Sequence, residues 1–341
     1  MNTTLFATWK PKSGDHILLN RGETYNIPAT IDINDNDIII EAKPGTGPAP
    51  IIYSRDVRGD KGCFHQFGRN VRVEGINFDL HDSGYAFRPY GSDGTILRRL
   101  NILRGNFTII NEAKNGLIEH VHADRVWKYF ILTAGSGSGS AGKFSENWTV
   151  RYSSCFGAVH EHVLRIQAMK KFLVDRCNLH NDITASWAVK KGACIGISDG
   201  EDVEIRNTLC GGTFNFGPND GGDGGVNDPP GPVQDSKLNR RLRNVRAHSC
   251  TVLDRTEINS GSHNIVLENM CMESRSSGFV LKVDKPYGVE GNMRPLADGA
   301  FRNLTTRYAG FGTAEFLIGS ASKFARENCT FNGLPVPNYT P

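Results

Sequence analysis

A short unit recurs along the chain, and it restricts the possible folds more than any other feature. Its clearest copies are RNVRVEGINF (69–78), KFLVDRCNL (171–179), EDVEIRNTL (201–209), RNVRAHSCTV (243–252), HNIVLENMCM (263–272) and KFARENCTF (323–331). Each reads as a short alternating strand, two or three polar residues, and a second short apolar strand. Fainter copies are NDIIIEA (36–42), GTILRRLNI (94–102), NGLIEHVHA (115–123) and NWTVRYSSC (147–155). Taking Val71, Ile96, Leu117, Trp148, Phe172, Val203, Val245 and Ile265 as equivalent, successive spacings are 25, 21, 31, 24, 31, 42 and 20 residues. A floor near 20 with longer excursions is the pattern of a stacked coil with variable loops. Alternation over four or five residues specifies strand. No convincing amphipathic helix lies between the units, so leucine-rich and doubly wound folds fit poorly.

The expected fold is therefore all-β: one right-handed parallel β-helix, a pectin-lyase-like solenoid spanning 1–341. One coil cannot bury its apolar face alone, so coils stack around a continuous core. About eleven or twelve coils at about 4.8 Å each would extend about 55 Å. The 38% hydrophobic and 22% charged content is enough for such a core and argues against disorder. The eight cysteines contain no C-x-x-C pair, so a zinc site of the usual spacing is not expected. Cys177, Cys250 and Cys329 share one place in their coils with Ile76, which predicts buried free thiols.

Three longer segments interrupt the repeat, and such loops carry function in solenoids. They lie near 133–143, 217–237 and 285–295. The first is Gly/Ser-rich. The second holds Asp220, Asp223, Asp228 and Asp235 and offers oxygen ligands for calcium, without EF-hand spacing; the alternative is the wall of a cleft.

The stretch HEHVLRIQAMKKFLVDRCNL (160–179) is unusually charged for strands. Arg165 alternates with apolar neighbours and is expected to project outward, because an arginine in the core is disfavoured. Lys143 lies 22 residues earlier, one coil away, and Lys190 and Lys191 fall about one coil later. Stacked coils would bring Lys143, Arg165 and Lys190 into a cationic ladder flanked by His160, Glu161 and His162. Like charges on adjacent rungs repel, so a ladder of this kind implies an anionic ligand unless nearby carboxylates neutralise it. The net charge of only +3 does not call for nucleic acid, and no apolar run approaches a membrane span.

An acidic polysaccharide suits an elongated basic groove, and it suits a definite chemistry. Lytic cleavage removes the proton beside a uronate carboxylate and expels the glycosidic oxygen. A cation must neutralise the carboxylate, a base must take the proton, and an acid must reach the leaving oxygen. The region GKFSENWTVRYSSCFGAVHEHVLRIQAMKKFLVDRCNL resembles core coils of the alginate lyase and chondroitinase B family of β-helical polysaccharide lyases. That family sets a lysine base at the start of one coil and an arginine in an L-R segment one coil later. Lys143 and Leu164-Arg165 match these two positions, which implies catalytic roles for Lys143 and Arg165. The acidic calcium ligands that the family carries before the lysine are replaced here by GSGSGSAG. Neutralisation would then fall to Arg165, His162 or Lys190. An E-H-x-L-R segment followed by a G-P-[QN]-[DN] loop, here Glu161–Arg165 and Gly217–Asp220, also resembles uncharacterised bacterial β-helix proteins.

Other readings stay open. FDLHDSG (78–84) resembles the D-P-H-D segment of alginate C5-epimerases, with Leu80 replacing proline. A β-helical hydrolase would need two positioned carboxylates, for which Asp199, Glu201, Asp202 and Glu204 are candidates. The signatures of polygalacturonases and pectate lyases are absent. A non-catalytic glycan-binding solenoid would show the same coils. If the acidic site lay under the 217–237 loop, Asp220, Asp223 and Arg243 would be its residues. Met1 precedes a polar stretch with no signal-peptide pattern. A polysaccharide substrate nevertheless implies a secreted or periplasmic protein.

Overall fold

The computed structural model describes residues 4–81, 84–134, 144–158, 161–181, 193–217, 242–259, 261–275, 278–284 and 296–341. Apart from one helical turn, Leu5–Thr8, their regular elements are β-strands. They fall into two compact units. The first draws on Met1–Ala134, Phe144–Leu164 and His180–Gly192, and the second on Gly135–Lys143, Arg165–Leu179 and Ala193–Pro341.

In the first unit one face is built from parallel neighbours His16–Leu19, Ile39–Ala42, Arg69–Glu74, Asp93–Arg104, Lys114–Val126 and Ser145–Arg151. Asp93–Arg104 and Lys114–Val126 continue around a corner onto a second face. The third face stacks Ile31–Ile33, Gly62–Gln66, Tyr85–Pro89, Asn106–Asn111 and Ile131–Ala134, again in parallel. The second unit repeats the plan. Its first face runs Met169–Asp175, Gly200–Arg206, Leu242–His248, Ser262–Glu268, Gly299–Arg302 and Phe324–Glu327. Its third face includes Ile195–Ile197, Phe214–Phe216, Thr256–Ile258, Phe279–Val283 and Glu315–Gly319. Among the described residues the third-face strands number 11, within the expected number of coils.

Two left-handed backbone positions explain the recurring polar residues. The corner between first and second faces is turned by a single residue at positive φ, among them Asn207 (50°), Asn269 (50°), Asn303 (50°) and Asn328 (52°). Asparagine tolerates this region better than most residues. The residue that follows points inward, which buries Cys177, Cys250 and Cys329 as free thiols and places Ile76 equivalently. A second such residue lies within the first-face strand, as at Asn70, Asn115, Asn147, Asn244 and Asn264. These amides bond from rung to rung: Asn147 Nδ2 donates to Asn115 Oδ1 at 2.7 Å, and Asn115 Nδ2 to Asp93 Oδ1 at 2.7 Å.

The inward column after that second position corrects the register at two coils. Val71 aligns with Thr95, Thr95 with Gly116, and Gly116 with Trp148. Ile96 and Leu117 sit one residue further on and face outward, Ile96 being 36% exposed. The apolar pattern pointed to the larger neighbour, but the left-handed residues Gly94 and Asn115 set the phase. Glycine at 116 leaves room for Trp148, whose Nε1 donates to Ala113 O at 3.0 Å. Thr95 is tolerated in the core because Oγ1 donates to Gln66 Oε1 at 2.7 Å.

Candidate functional site

Of the residues proposed from sequence, Lys143, His160, Lys190, Lys191, Asp220 and Asp223 lie outside the described residues. The 160–179 segment forms three strands, Leu164–Ile166, Met169–Asp175 and Asn178–His180. Much of its charge is paired. Lys170 Nζ lies 3.8 Å from Glu201 Oε2. Asp175 is buried, accepts from Asn207 Nδ2 at 2.9 Å and meets Arg206 at 3.3 Å. Burial opposes its ionisation, but these hydrogen bonds and the Arg206 charge outweigh it and hold the carboxyl below its usual range.

Arg165 is the middle residue of Leu164–Ile166, whose outer two residues are buried, so its side chain projects outward as expected. The Gln167 amide steadies it. With the Gln167 amide turned so that its oxygen faces the guanidinium, Oε1 accepts from Arg165 Nε at 2.9 Å, from Arg165 Nη2 at 2.6 Å and from Ser198 Oγ at 3.2 Å. Glu161 Oε2 and His162 Nδ1 are 3.9 Å apart, both side chains largely buried. Arg243 is on a first-face strand, aligned with Glu201 and His263, whereas Arg165 is on a third-face strand.

Three of the four carboxylates considered for hydrolysis meet other side chains, and Asp199 is buried. Glu204 accepts from His248 Nε2 at 2.9 Å and from Arg206 Nη1 at 3.3 Å. Asp202 accepts from Asn244 at 3.0 Å, and Glu201 faces Lys170. In the FDLHDSG segment, Asp79 is held by Arg104 through two bonds of 2.7 Å and accepts from the His81 backbone N–H at 3.3 Å. This arrangement closes a turn. Among the described residues no group of three or more His, Cys, Asp or Glu side chains is placed to hold a metal ion.

The sequence reading missed the outer side of the third face in the first unit. Asp32, His65 and Arg88 align on successive rungs, and Ile109 and Leu132 on later ones. Beside them stand Phe67 and Tyr90, exposed rings 5.7 Å apart, then Asn111, which bridges to Tyr90. Tyr85 and Tyr129 are buried and pack on Ile109. Arg88 Nη1 donates to the Asp60 carbonyl, and Lys128 Nζ lies 3.7 Å from the Asp60 carboxylate. Burial, reinforced by Asp60 and Tyr129, pushes the Tyr85 phenol well above its usual range, so it remains a hydrogen-bond donor. Burial lowers the His65 pKa, and the Arg88 charge adds to this. His65 Nε2 accepts from the Gly62 N–H at 3.0 Å. A tyrosine leading each of two coils, in GYAFRPY and WKYF, is the only trace of this surface in the sequence.

No protein-family profile matches the chain. No curated protein matches it in sequence. Solved structures do match. PfbA, a surface adhesin of Streptococcus pneumoniae, is 11% identical, with a TM-score of 0.58 over 94% of this chain and 84% of that one. ORF18 of Geobacillus virus E2 is 9% identical, with a TM-score of 0.53 over 94% of this chain, which spans only 55% of the viral protein. An alginate lyase from Paenibacillus sp. str. FPU-7 is 10% identical, with a TM-score of 0.45 over 95% of this chain and 97% of the lyase. At such identities the likeness is one of fold, and the fold is the right-handed parallel β-helix.

Proposed function

We propose that this β-helix binds an acidic polysaccharide and cleaves it by β-elimination. Lys143 takes the C5 proton of the uronate, and the pair of electrons left behind forms the C4–C5 double bond as the C4–O bond breaks. Arg165 neutralises the carboxylate or serves the departing oxygen. The observation that carries this reading is the grip of Gln167 on Arg165. A guanidinium fork held in one orientation on an outward position suits recognition of a planar carboxylate. Elimination is favoured over hydrolysis because Glu201, Asp202 and Glu204 meet structural partners and Asp199 is buried. A polymer of this kind is met outside the cytoplasm, and the protein is expected to be secreted or periplasmic.

The test is incubation with a panel of polyuronates, following both ultraviolet absorbance of the unsaturated product and release of reducing ends. Elimination raises both together. Reducing ends without absorbance would mean hydrolysis, and binding with neither would mean a glycan-binding solenoid.

A further inference from the structure

The buried cysteines of the second unit are not all used alike. Cys177, Cys250 and Cys329 serve as small apolar residues, each with its thiol turned to a nearby backbone carbonyl. Cys177 donates to Asp175 O at 3.5 Å, Cys250 to His248 O at 3.2 Å and Cys329 to Glu327 O at 3.5 Å. Cys194 and Cys210 differ because they meet each other. The Thr213 carbonyl accepts from the Cys194 N–H at 2.9 Å and from Cys210 Sγ at 3.9 Å. Cys194 Sγ also donates to Leu179 O at 3.1 Å, and Cys210 Sγ to Gly212 O at 3.4 Å. Around the shared carbonyl the two sulfurs lie within hydrogen-bonding reach of each other. All of these residues belong to the second unit.

A buried apolar position does not call for a second sulfur beside the first. Two sulfurs in contact do one thing that valine or alanine cannot, which is to join. We propose that Cys194 and Cys210, free thiols in the reduced protein, are a disulfide pair closed by exchange with a small-molecule disulfide such as glutathione disulfide. One cysteine thiolate attacks the oxidant, expels one glutathione as its thiol and leaves a mixed disulfide. The other thiolate then displaces the second glutathione. Two electrons pass from the cysteine sulfurs to the oxidant, and the two thiol hydrogens leave with the glutathiones. Cys194 is 0% and Cys210 1% exposed. Burial, and then the Cys194 sulfur, raise the Cys210 thiol well above its usual range, so a packed pair is slow to react. The bond therefore forms while the coil closes during folding. An oxidising compartment supplies such an oxidant.

The chain between the two cysteines makes one circuit of the solenoid. It passes through third-face Ile195–Ile197, first-face Gly200–Arg206 and second-face Leu209–Gly211. The bond ties the start of that circuit to its end and restricts the unfolded chain. The same circuit carries Ser198 to Gln167, beside Arg165. The proposal does not depend on elimination chemistry.

The experiment uses full-length Cys271→Ser protein, which lacks the exposed thiol. It is denatured, reduced and refolded with reduced and oxidised glutathione, and a reference sample is refolded in reductant alone. The soluble, folded fractions are compared by thiol counting in denaturant, by mass spectrometry of unreduced peptides and by urea unfolding. The glutathione-refolded protein should show two fewer thiols than the reference. It should yield one peptide pair joined through Cys194 and Cys210, two hydrogens lighter than the separate peptides. Its urea midpoint should be higher and should return to that of the reference on reduction. Cys194→Ala in the same background should keep all its thiols. A full complement of thiols in the glutathione-refolded protein would overturn the pair. So would a bond from either cysteine to Cys177 or Cys250, or a Cys194→Ala protein that still loses two thiols. Peptide mapping of the Cys271→Ser protein leaves the core unaltered, so it decides the matter even where Cys194→Ala does not fold.

Discussion

Gly116 and Trp148 are adjacent rungs of one inward column, and a Cβ on residue 116 would fall within the Trp148 ring. The pairing converts a missing side chain into space for the largest one. Gly116→Val therefore overpacks the core and should destabilise the protein by about 1–3 kcal/mol. Trp148→Ala empties the same site and should cost about 3–5 kcal/mol. Urea denaturation followed by circular dichroism measures both. A Gly116→Val midpoint equal to that of the wild-type protein would mean that the column is assigned wrongly.

Asp175 links two coils through Arg206 and Asn207. Its folded pKa is depressed, so the stability it contributes is present above the unfolded value of about 3.9 and is lost as pH falls through the folded value. Asp175→Asn should accordingly reduce stability at neutral pH, and the gap to the wild-type protein should close on acidification below about pH 4. A gap that stays constant from neutral to acidic pH would show that ionisation of Asp175 does not matter.

The cysteines divide into one exposed thiol, Cys271, and seven buried ones. Burial pushes the Cys250 thiol up to about 12. Native protein should react with a thiol reagent rapidly at Cys271 alone, and denaturation should release the rest, Cys177, Cys250 and Cys329 included. Mass spectrometry of the labelled peptides reads the order. A disulfide joining any two of these last three in native protein would break the register of the coils.

The coil was legible because burial acts on it directly. Val71, Phe172, Val203 and Ile265 recur as inward residues after a polar left-handed one, and both marks survive in the sequence. The register at Ile96 and Leu117 was not legible, since hydrophobicity reports side-chain size while Gly94 and Asn115 set the direction. Arg165 was legible as an outward residue because it alternates with Leu164 and Ile166. The surface around Tyr85, Arg88 and Asn111 was not. Third-face strands are as short as three residues and are joined by loops of varying length, so neighbours in space carry no fixed spacing in sequence. The pairings of Lys170 and Asp175 were hidden for the same reason, as each partner lies 31 residues away.

Gln167 is a positioning residue for Arg165. Arg165→Ala and Gln167→Ala should both fold, since neither side chain belongs to the core. The first should abolish most polyuronate cleavage. The second should lower it less and should raise KM, because a guanidinium released from its amide loses orientation before it loses charge. Arg165→Lys should not restore activity, because an ammonium cannot present a bidentate fork. Full activity in Arg165→Lys would mean that only the charge is needed.

The most direct test of the account is the ultraviolet absorbance of unsaturated product formed from polyuronates by wild-type protein and by Lys143→Ala. The account predicts rising absorbance with the wild-type protein on at least one polyuronate. It predicts a loss on the order of 10²–10⁴-fold for Lys143→Ala, the contribution of a general base, with circular dichroism unchanged. Undiminished product formation by a folded Lys143→Ala protein would contradict the assignment of the base. Reducing ends released without absorbance would contradict β-elimination itself.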